Sequence, residues 1–253
     1  MRRARLLTLA GLDGLAALLI SLAVPDAAQA LTPLEIVRRA DRIRAPGPTF
    51  TFELTIVTPK GSEQEPDARL AVSVKLPEKG LAKFLFPPAD RGKTLLMVGP
   101  NLWVYLPTTD RPLRISPQQR LIGEVSHADV LRVNFEGDYV PTLIGDDRVE
   151  GLLCHLLELR GVVEGVTYHR IRYWVERETF RPVKAEFYTI TGLLLKTARY
   201  RHYREILGTA RPTEIQISDA VRAGALSRMI YSRLRREPLS DEIFHPTYLK
   251  FLR

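Results

Sequence analysis

The sequence predicts a mainly β protein, built as a curved antiparallel sheet of about ten or eleven strands. One helix is expected before the strands, one among them, and a helix or turn at the end. From residue 49 onward, apolar and polar residues alternate with a period of two. Glycine and proline separate these runs at the spacing of antiparallel meanders. Apolar side chains also occupy both faces of the central strands, which predicts a core on one side and a further apolar contact on the other.

The segment 1–30 is expected to be a cleaved signal peptide, which leaves 31–253 as a single domain. Arginines occupy three of the first five positions, Leu6–Val24 is mostly apolar, and Ala28–Ala30 has the small-x-small pattern of a cleavage site. An uncleaved N-terminal anchor is the alternative. Asp13 disfavours it, because a charge near the centre of a spanning helix costs about 2.5–3.5 kcal/mol. The mature protein is therefore expected to be soluble, monomeric and periplasmic.

The cysteine content and the net charge limit which covalent links and partners are expected. Cys154 is the one cysteine, so no intramolecular disulfide can form, and its apolar neighbours predict that it is buried. No cysteine near Ala30 could accept a lipid anchor. The net charge of +8 favours either attraction to an anionic membrane or acidic partner, or simple solubility. Nucleic acid is not an expected partner of an exported protein.

Capping residues predict two of the helices. Thr32 is the expected N-cap of a helix over residues 34–43, with Pro33 in the first position and Glu35 at the third. Ser126 and Asp129 have the spacing of a second capping box and predict a short helix, so Ser126 is interpreted as a cap rather than a nucleophile.

Eleven segments are predicted as strands from their alternating or continuous apolar residues. The last of them could also be a helix, and a terminal helix or turn is expected from Ser240. The predicted strands are residues 49–56, 70–74, 80–86, 93–98, 101–106, 149–159, 166–176, 182–190, 193–203, 213–217 and 228–235.

No pattern of reactive residues predicts catalysis. The five histidines have no zinc-ligand spacing, and GxSxG, P-loop and GxGxxG motifs do not occur. The sequence therefore predicts no metal, no cofactor and no enzymatic activity. An exported hydrolase with an unrecognised site remains an alternative.

Three segments resemble the outer-membrane lipoprotein-sorting proteins related to LolA and LolB. They are Asp90–Lys93 before a strand, Leu102–Pro107 within one, and Arg111–Ser116 after it. Gly123–Asp129 also resembles the family's segment before a short helix, but departs from the commoner Gly-Ser-Asp-Phe form. The order of predicted elements agrees with that family over nearly the whole mature chain.

This resemblance implies a half-open antiparallel β-barrel of about eleven strands, with helices covering an apolar cavity. It implies no catalytic residues. Because the side-chain period of a strand is two, parity predicts which residues face the cavity, and a one-residue error in register would reverse each set. The predicted lipid-binding residues are Phe52, Leu54, Val72, Phe84, Phe86, Leu102, Val104 and Phe187.

The resemblance also suggests what the protein binds. The first hypothesis is a periplasmic carrier of a lipid, or of the acyl chains of a lipoprotein, toward the outer membrane. The second is an interaction module that carries nothing and partners an inner-membrane lipid exporter of the RND type. Arg111 and Arg114 are candidates for a basic rim that meets headgroups or a transporter. Alternatively, they hold their turn through backbone carbonyls. An ordinary filled core also remains an alternative to the cavity.

Overall fold

Antiparallel strands make up most of the chain in the computed structural model, which describes residues 31–59, 65–109, 111–132, 134–163, 165–222 and 224–252. The expected signal peptide lies outside the described residues. Helix α1 (Pro33–Arg44) precedes the strands and helix α2 (His127–Leu131) lies among them. Three short 3-10 helices are Pro88–Asp90, Asp241–Phe244 and Pro246–Phe251.

Fifteen strands are described, and their bounds are as follows. The first eight are β1 (Thr49–Val57), β2 (Ala68–Lys75), β3 (Lys79–Phe86), β4 (Thr94–Val98), β5 (Asn101–Tyr105), β6 (Leu113–Ile115), β7 (Arg120–Ile122) and β8 (Val125–Ser126). The remaining seven are β9 (Tyr139–Val149), β10 (Leu152–Gly161), β11 (Arg170–Glu176), β12 (Pro182–Tyr188), β13 (Leu194–Ile206), β14 (Thr209–Asp219) and β15 (Leu226–Arg236).

Thirteen of these strands form one antiparallel sheet, in the order β6-β5-β4-β3-β2-β1-β15-β14-β13-β12-β11-β10-β9. In the described residues the two edge strands, β6 and β9, do not pair with each other, so the sheet is open. The mainly β, antiparallel prediction is confirmed, and the eleven predicted strands all lie in this sheet. The predicted count is too low because both edges were missed. Strand β6 has three residues, and β9 contains Pro141 and Gly145, which interrupt the strand pattern.

The sheet curls around α1. Thirteen strands at about 4.8 Å spacing would be about 58 Å wide if flat, whereas a helix of twelve residues is about 18 Å long. Nevertheless, α1 packs against the edge strand β9, against β11, and against β14 near the middle of the sheet. These strands span about 24 Å of the sheet. The apolar residues of α1 also share one core with side chains of β5, near the opposite edge, so the sheet bends toward the helix.

The main core lies on the inner face of the curled sheet. Ile36, Val37 and Ala40 of α1 pack there with apolar side chains from strands as distant as β5 and β10. Helix α2 packs closely against the sheet at Gly80 of β3. A Cβ atom at this position would lie only 2.6 Å from the carbonyl oxygen of Leu131. Any larger residue at position 80 would therefore push α2 away from the sheet.

The outer face carries two smaller clusters. The C-terminal 3-10 helices cover β3–β5 through Phe244 and Leu249, and Lys79 Nζ lies 2.6 Å from Asp241 at the start of this segment. Cys154 packs with Trp174 on the outer face near the other end of the sheet and is fully buried, as predicted. No described helix has the length and apolar character needed to cross a membrane.

Candidate functional site

Helix α1 is fastened to the chain that follows α2. Oδ2 of Asp41 accepts hydrogen bonds from the backbone N–H groups of Phe135 and Glu136, both at 2.8 Å. The side chain of Glu136 also accepts a bond of 2.7 Å from Arg38. Burial raises the pKa of Asp41 to about 6, although nearby Arg44 and the two N–H groups act to lower it. These contacts hold α1, one of the two cover helices (α1 and α2), over the sheet.

The C-terminal end of α1 is fastened to β14 by Arg211, which is almost completely buried. One terminal nitrogen of Arg211 donates to the carbonyl oxygens of Arg42 and Ile43, at 2.8 and 2.6 Å. Its Nε donates to the carbonyl oxygen of Ile206 at 3.1 Å. A cation suits this position, because the last carbonyls of a helix lack intrahelical partners and carry partial negative charge.

Between the cover helices and the sheet are two hollows. The inner hollow has a volume of about 50 Å³, and the end hollow, near the C-terminal end of α1, about 70 Å³. A buried water needs roughly 10–15 Å³ of such space, so each hollow has room for about five waters. Apolar walls of the inner hollow include Phe187, Ala198, Tyr200, Ile217 and Met229. Those of the end hollow include Phe50, Phe52, Pro212, Tyr231 and Leu234.

Arg44 lies at the boundary and lines both hollows. Its guanidinium donates to Asp41 at 3.1 Å and lies 4.2 Å from the ring centroid of Phe135. Both members of the pair are nine-tenths buried. In the described residues, Asp41 is the only hydrogen-bond acceptor of Arg44. Its remaining N–H groups are therefore available to a molecule entering either hollow.

A polar network attaches α2 to the sheet. Oδ2 of Asp129 accepts the backbone N–H of Ser126 at 2.8 Å, which confirms the predicted cap. The ammonium group of Lys196 also donates to Asp129, and the hydroxyl of Tyr168 donates to its second oxygen at 2.8 Å. Ser126 Oγ lies 3.4 Å from Lys196 Nζ.

A second charged cluster lies near the β7–β8 turn. Glu124 and Asp219 are flanked by Arg120 and Arg222, with Arg120 2.7 Å from Asp219 and Arg222 2.5 Å from Glu124. Burial raises the pKa of Glu124, whose neighbour Asp219 shares the same two cations. Two acids and two arginines leave the cluster without excess charge. Among the described residues, no group of three or more His, Cys, Asp or Glu side chains is placed to hold a metal.

The predicted cavity residues are distributed unevenly around these hollows. Seven of the eight belong to the inner core, but only Phe52 and Phe187 line either hollow. Phe86 is a wrong prediction. A register shift in β3 pairs Phe84 with Leu70 but Phe86 with Arg69. The extra residue turns Phe86 to the outer face, where its ring lies 5.5 Å from the Arg69 guanidinium.

The candidate rim arginines lie beside the edge strand β6, and both are exposed. The guanidinium of Arg114 donates to the side-chain oxygen of Asn101. The backbone oxygen of Arg111 accepts a bond of 3.3 Å from Thr109. Neither arginine lines the two hollows, so their role in binding remains a prediction.

Sequence reasoning missed the polar residues of the site, above all Arg44 and Arg211. A signal for Arg44 was present: Asp41 and Arg44 continue the helical stripe of Val37 and Ala40 at spacings of three and four residues. A charged pair on an apolar stripe indicates a buried ion pair. Arg211 had no comparable signal, because only the curled sheet brings it to the end of α1.

Comparison with known proteins agrees with this architecture. A family model described as "Uncharacterized protein" matches residues 77–251. No curated protein matches the chain. A LolA superfamily protein from Nitrosomonas europaea is 39% identical, with a TM-score of 0.80, and the match covers 87% of this chain and 100% of the other.

Two more distant structures share the fold. A DUF1329 family protein from Desulfovibrio piger is 22% identical, with a TM-score of 0.73 over 86% of this chain and 97% of the other. A domain assigned to outer membrane lipoprotein-sorting proteins, from Vibrio parahaemolyticus, is 22% identical, with a TM-score of 0.72 over 86% of this chain and 98% of the other. With the Nitrosomonas protein matched over its whole length, this chain belongs to the LolA superfamily.

Proposed function

We propose that the protein is a periplasmic carrier that binds a lipid, or the acyl chains of a lipoprotein, between its cover helices and the curled sheet, for transfer toward the outer membrane. The observation that carries this proposal is the apolar inner face of thirteen strands, covered in the described residues by helices α1 and α2, with two hollows left between them. Membership of the LolA superfamily supports it, as does the name of the Vibrio relative.

Binding would require movement of the cover helices. Hollows of 50 and 70 Å³ have room for a few waters and not for a long acyl chain. Each buried CH₂ contributes about 0.8 kcal/mol, so about twelve methylenes contribute roughly 10 kcal/mol. This gain would act against the cost of separating α1 and α2 from the sheet. The half-open barrel with an occupied cavity is therefore the ligand-bound form in this proposal.

Export belongs to the same proposal. The signal-like segment 1–30 would be removed, and the domain beginning at Leu31 would act in the periplasm without a lipid anchor. The Vibrio relative, whose name refers to lipoprotein sorting at the outer membrane, supports this location.

Native mass spectrometry with lipid extraction tests the proposal on mature protein purified without detergent. We expect a copurifying lipid or acylated peptide in the wild type, and its loss in Ala198→Leu, which fills the inner hollow. The matched control is Ala71→Leu, the same substitution in strand β2 at a position outside the inner core. A clean apo mass that stays unchanged after incubation with lipids would contradict the carrier.

That negative result would favour the second candidate, an interaction module for an inner-membrane lipid exporter. One observation favours it: the edge strand β9 exposes Val140 and Ile144, each more than half accessible. Exposed apolar residues on an unpaired edge suit a partner strand. Crosslinking from position 144 to an inner-membrane protein in a lipid-free sample would support this candidate.

A further inference from the structure

The end hollow combines apolar walls with two buried arginines. Arg44 and Arg211 both line it, beside Phe52 and Tyr231. Asp129 also lines it, but this carboxylate already accepts bonds from Lys196 and the Ser126 N–H. No other acidic side chain contributes to its described wall.

The charge around this hollow is not balanced. Arg44 is paired with Asp41, but Arg211 has only carbonyl partners, and in the described residues no carboxylate lies within ion-pair distance of it. Burial and nearby Arg236 lower the pKa of Arg211, and the more weakly acting Glu205 opposes them. A buried cation without an anion is costly, so this position favours a negatively charged guest.

From these observations we propose that the end hollow binds the anionic group of an amphiphile, a carboxylate or a phosphate, through Arg44 and Arg211. Guanidinium groups suit both anions, because their planar N–H donors match paired oxygens. The volume of about 70 Å³ fits such a headgroup and a few carbons, while the chain would extend along the inner face once the cover helices separate. This inference rests on the proposed carrier function and adds the charge of its cargo.

A bulge in β15 contributes to the wall of the hollow. Thr51 of β1 pairs with Arg235, but Glu53 pairs with Ser232, so β15 holds one extra residue. Arg233 at this bulge has a φ of 54° and is exposed, with its guanidinium on Glu53 rather than toward the hollow. Ser232 and Arg233 of the bulge line the hollow, so this proposal places the approach of an amphiphile at the bulge.

The test compares two ten-carbon chains that differ in charge. We expect decanoate at pH 8 to bind the mature protein at least tenfold more tightly than decanol, by calorimetry. Arg44→Gln should reduce this preference to less than threefold. Arg44→Lys should keep most of it, because the charge remains. Arg177→Gln is the matched control and should keep it fully, since Arg177 pairs with Asp146 and lines neither hollow.

Each outcome has a distinct meaning. Equal binding of decanoate and decanol would overturn the anion site and leave the carrier function standing. Binding of neither chain would overturn both proposals. Acetate or inorganic phosphate binding as tightly as decanoate would also overturn the inference, because the site would then select a small anion rather than an amphiphile. If Arg44→Gln fails to fold, the wild-type preference and Arg44→Lys decide the question.

Discussion

The two halves of the curled sheet use their inner faces differently. In the filled half, strands β2–β6, side chains such as Leu70, Phe84 and Leu95 are completely buried and pack without a hollow lined by them. In the hollow half, strands β1 and β9–β15, the inner face contains tyrosines and buried charged residues, and the two hollows lie against it. The filled half, which is rich in aliphatic residues, therefore acts as a scaffold. The hollow half, where aromatic and charged residues are mixed with aliphatic ones, contains the space for a ligand.

The physical reason is packing. Flexible aliphatic side chains interdigitate to the density of an organic crystal. Rigid rings and charged groups must satisfy geometry and hydrogen bonds first, so they fill space less completely. Tyr173 shows this constraint on hydrogen bonding, because its buried hydroxyl has no partner among the described residues.

The largest expected loss of stability comes from a substitution that breaks a buried ion pair in the hollow half. Asp129→Asn leaves the buried ammonium of Lys196 without its carboxylate. Removal of one member of a buried pair costs about 3–5 kcal/mol, and we expect a loss of that size in the free energy of unfolding, measured with urea. A loss below about 1 kcal/mol would mean that Lys196 is hydrated and that the pair does not hold α2.

A matched pair of truncations separates stability from binding. Leu70→Ala in the filled half and Met229→Ala beside the inner hollow should each cost about 2–5 kcal/mol in unfolding free energy. Both residues are at least 99% buried. Only Met229→Ala enlarges an existing hollow, so it alone should change lipid binding by the folded protein. Equal effects on binding would show that the two halves do not differ in function.

The free energy of unfolding should depend on pH through the titration of Asp41. Its folded pKa of about 6 lies above its ordinary value of 3.8, so the folded state holds this proton more tightly. The resulting stabilisation is complete below about pH 4 and is lost as the pH rises through 6. It amounts to at most about 3 kcal/mol, since each pKa unit corresponds to about 1.4 kcal/mol.

Urea unfolding between pH 2 and 7 checks this expectation by comparing wild type with Asp41→Asn. The advantage of wild type over the variant should shrink as the pH rises. Asp241 provides a control of opposite sign, because Lys75 and Lys79 lower its pKa to about 2. Its contribution is present above pH 4 and is lost as the pH falls toward 2. An advantage that grows with pH would contradict the raised pKa of Asp41.

The smallest expected loss of stability comes from substitutions that enlarge a side chain. Ala82→Val in the filled half should cost about 1–3 kcal/mol, because no space is free there. Ala198→Val, in the wall of the inner hollow, should cost less than about 1 kcal/mol. Thermal unfolding of both variants makes the comparison. If Ala198→Val is the more costly, the inner hollow is not space that a side chain can use.

Local signals predicted most of the fold but little of the candidate site. The caps at Thr32 and Ser126 were visible because capping depends on residues three or four positions apart. The edges β6 and β9 were missed because one is short and the other contains Pro141. Seven of the eight predicted cavity residues lie in the inner core, whereas a bulge shifts the register at Phe86. Lipid binding by these residues remains a prediction.

The sequence by itself determined the alternation that makes the strands, the helix caps and the apolar character of the inner face. Each of these depends on neighbours within a few positions, where the periods of strand and helix apply. Only the tertiary structure decided where the apolar face is filled and where hollows remain, and that Arg211 meets the end of α1, 167 residues earlier in the chain. Such features depend on how distant side chains fill a shared volume, and no local pattern records that.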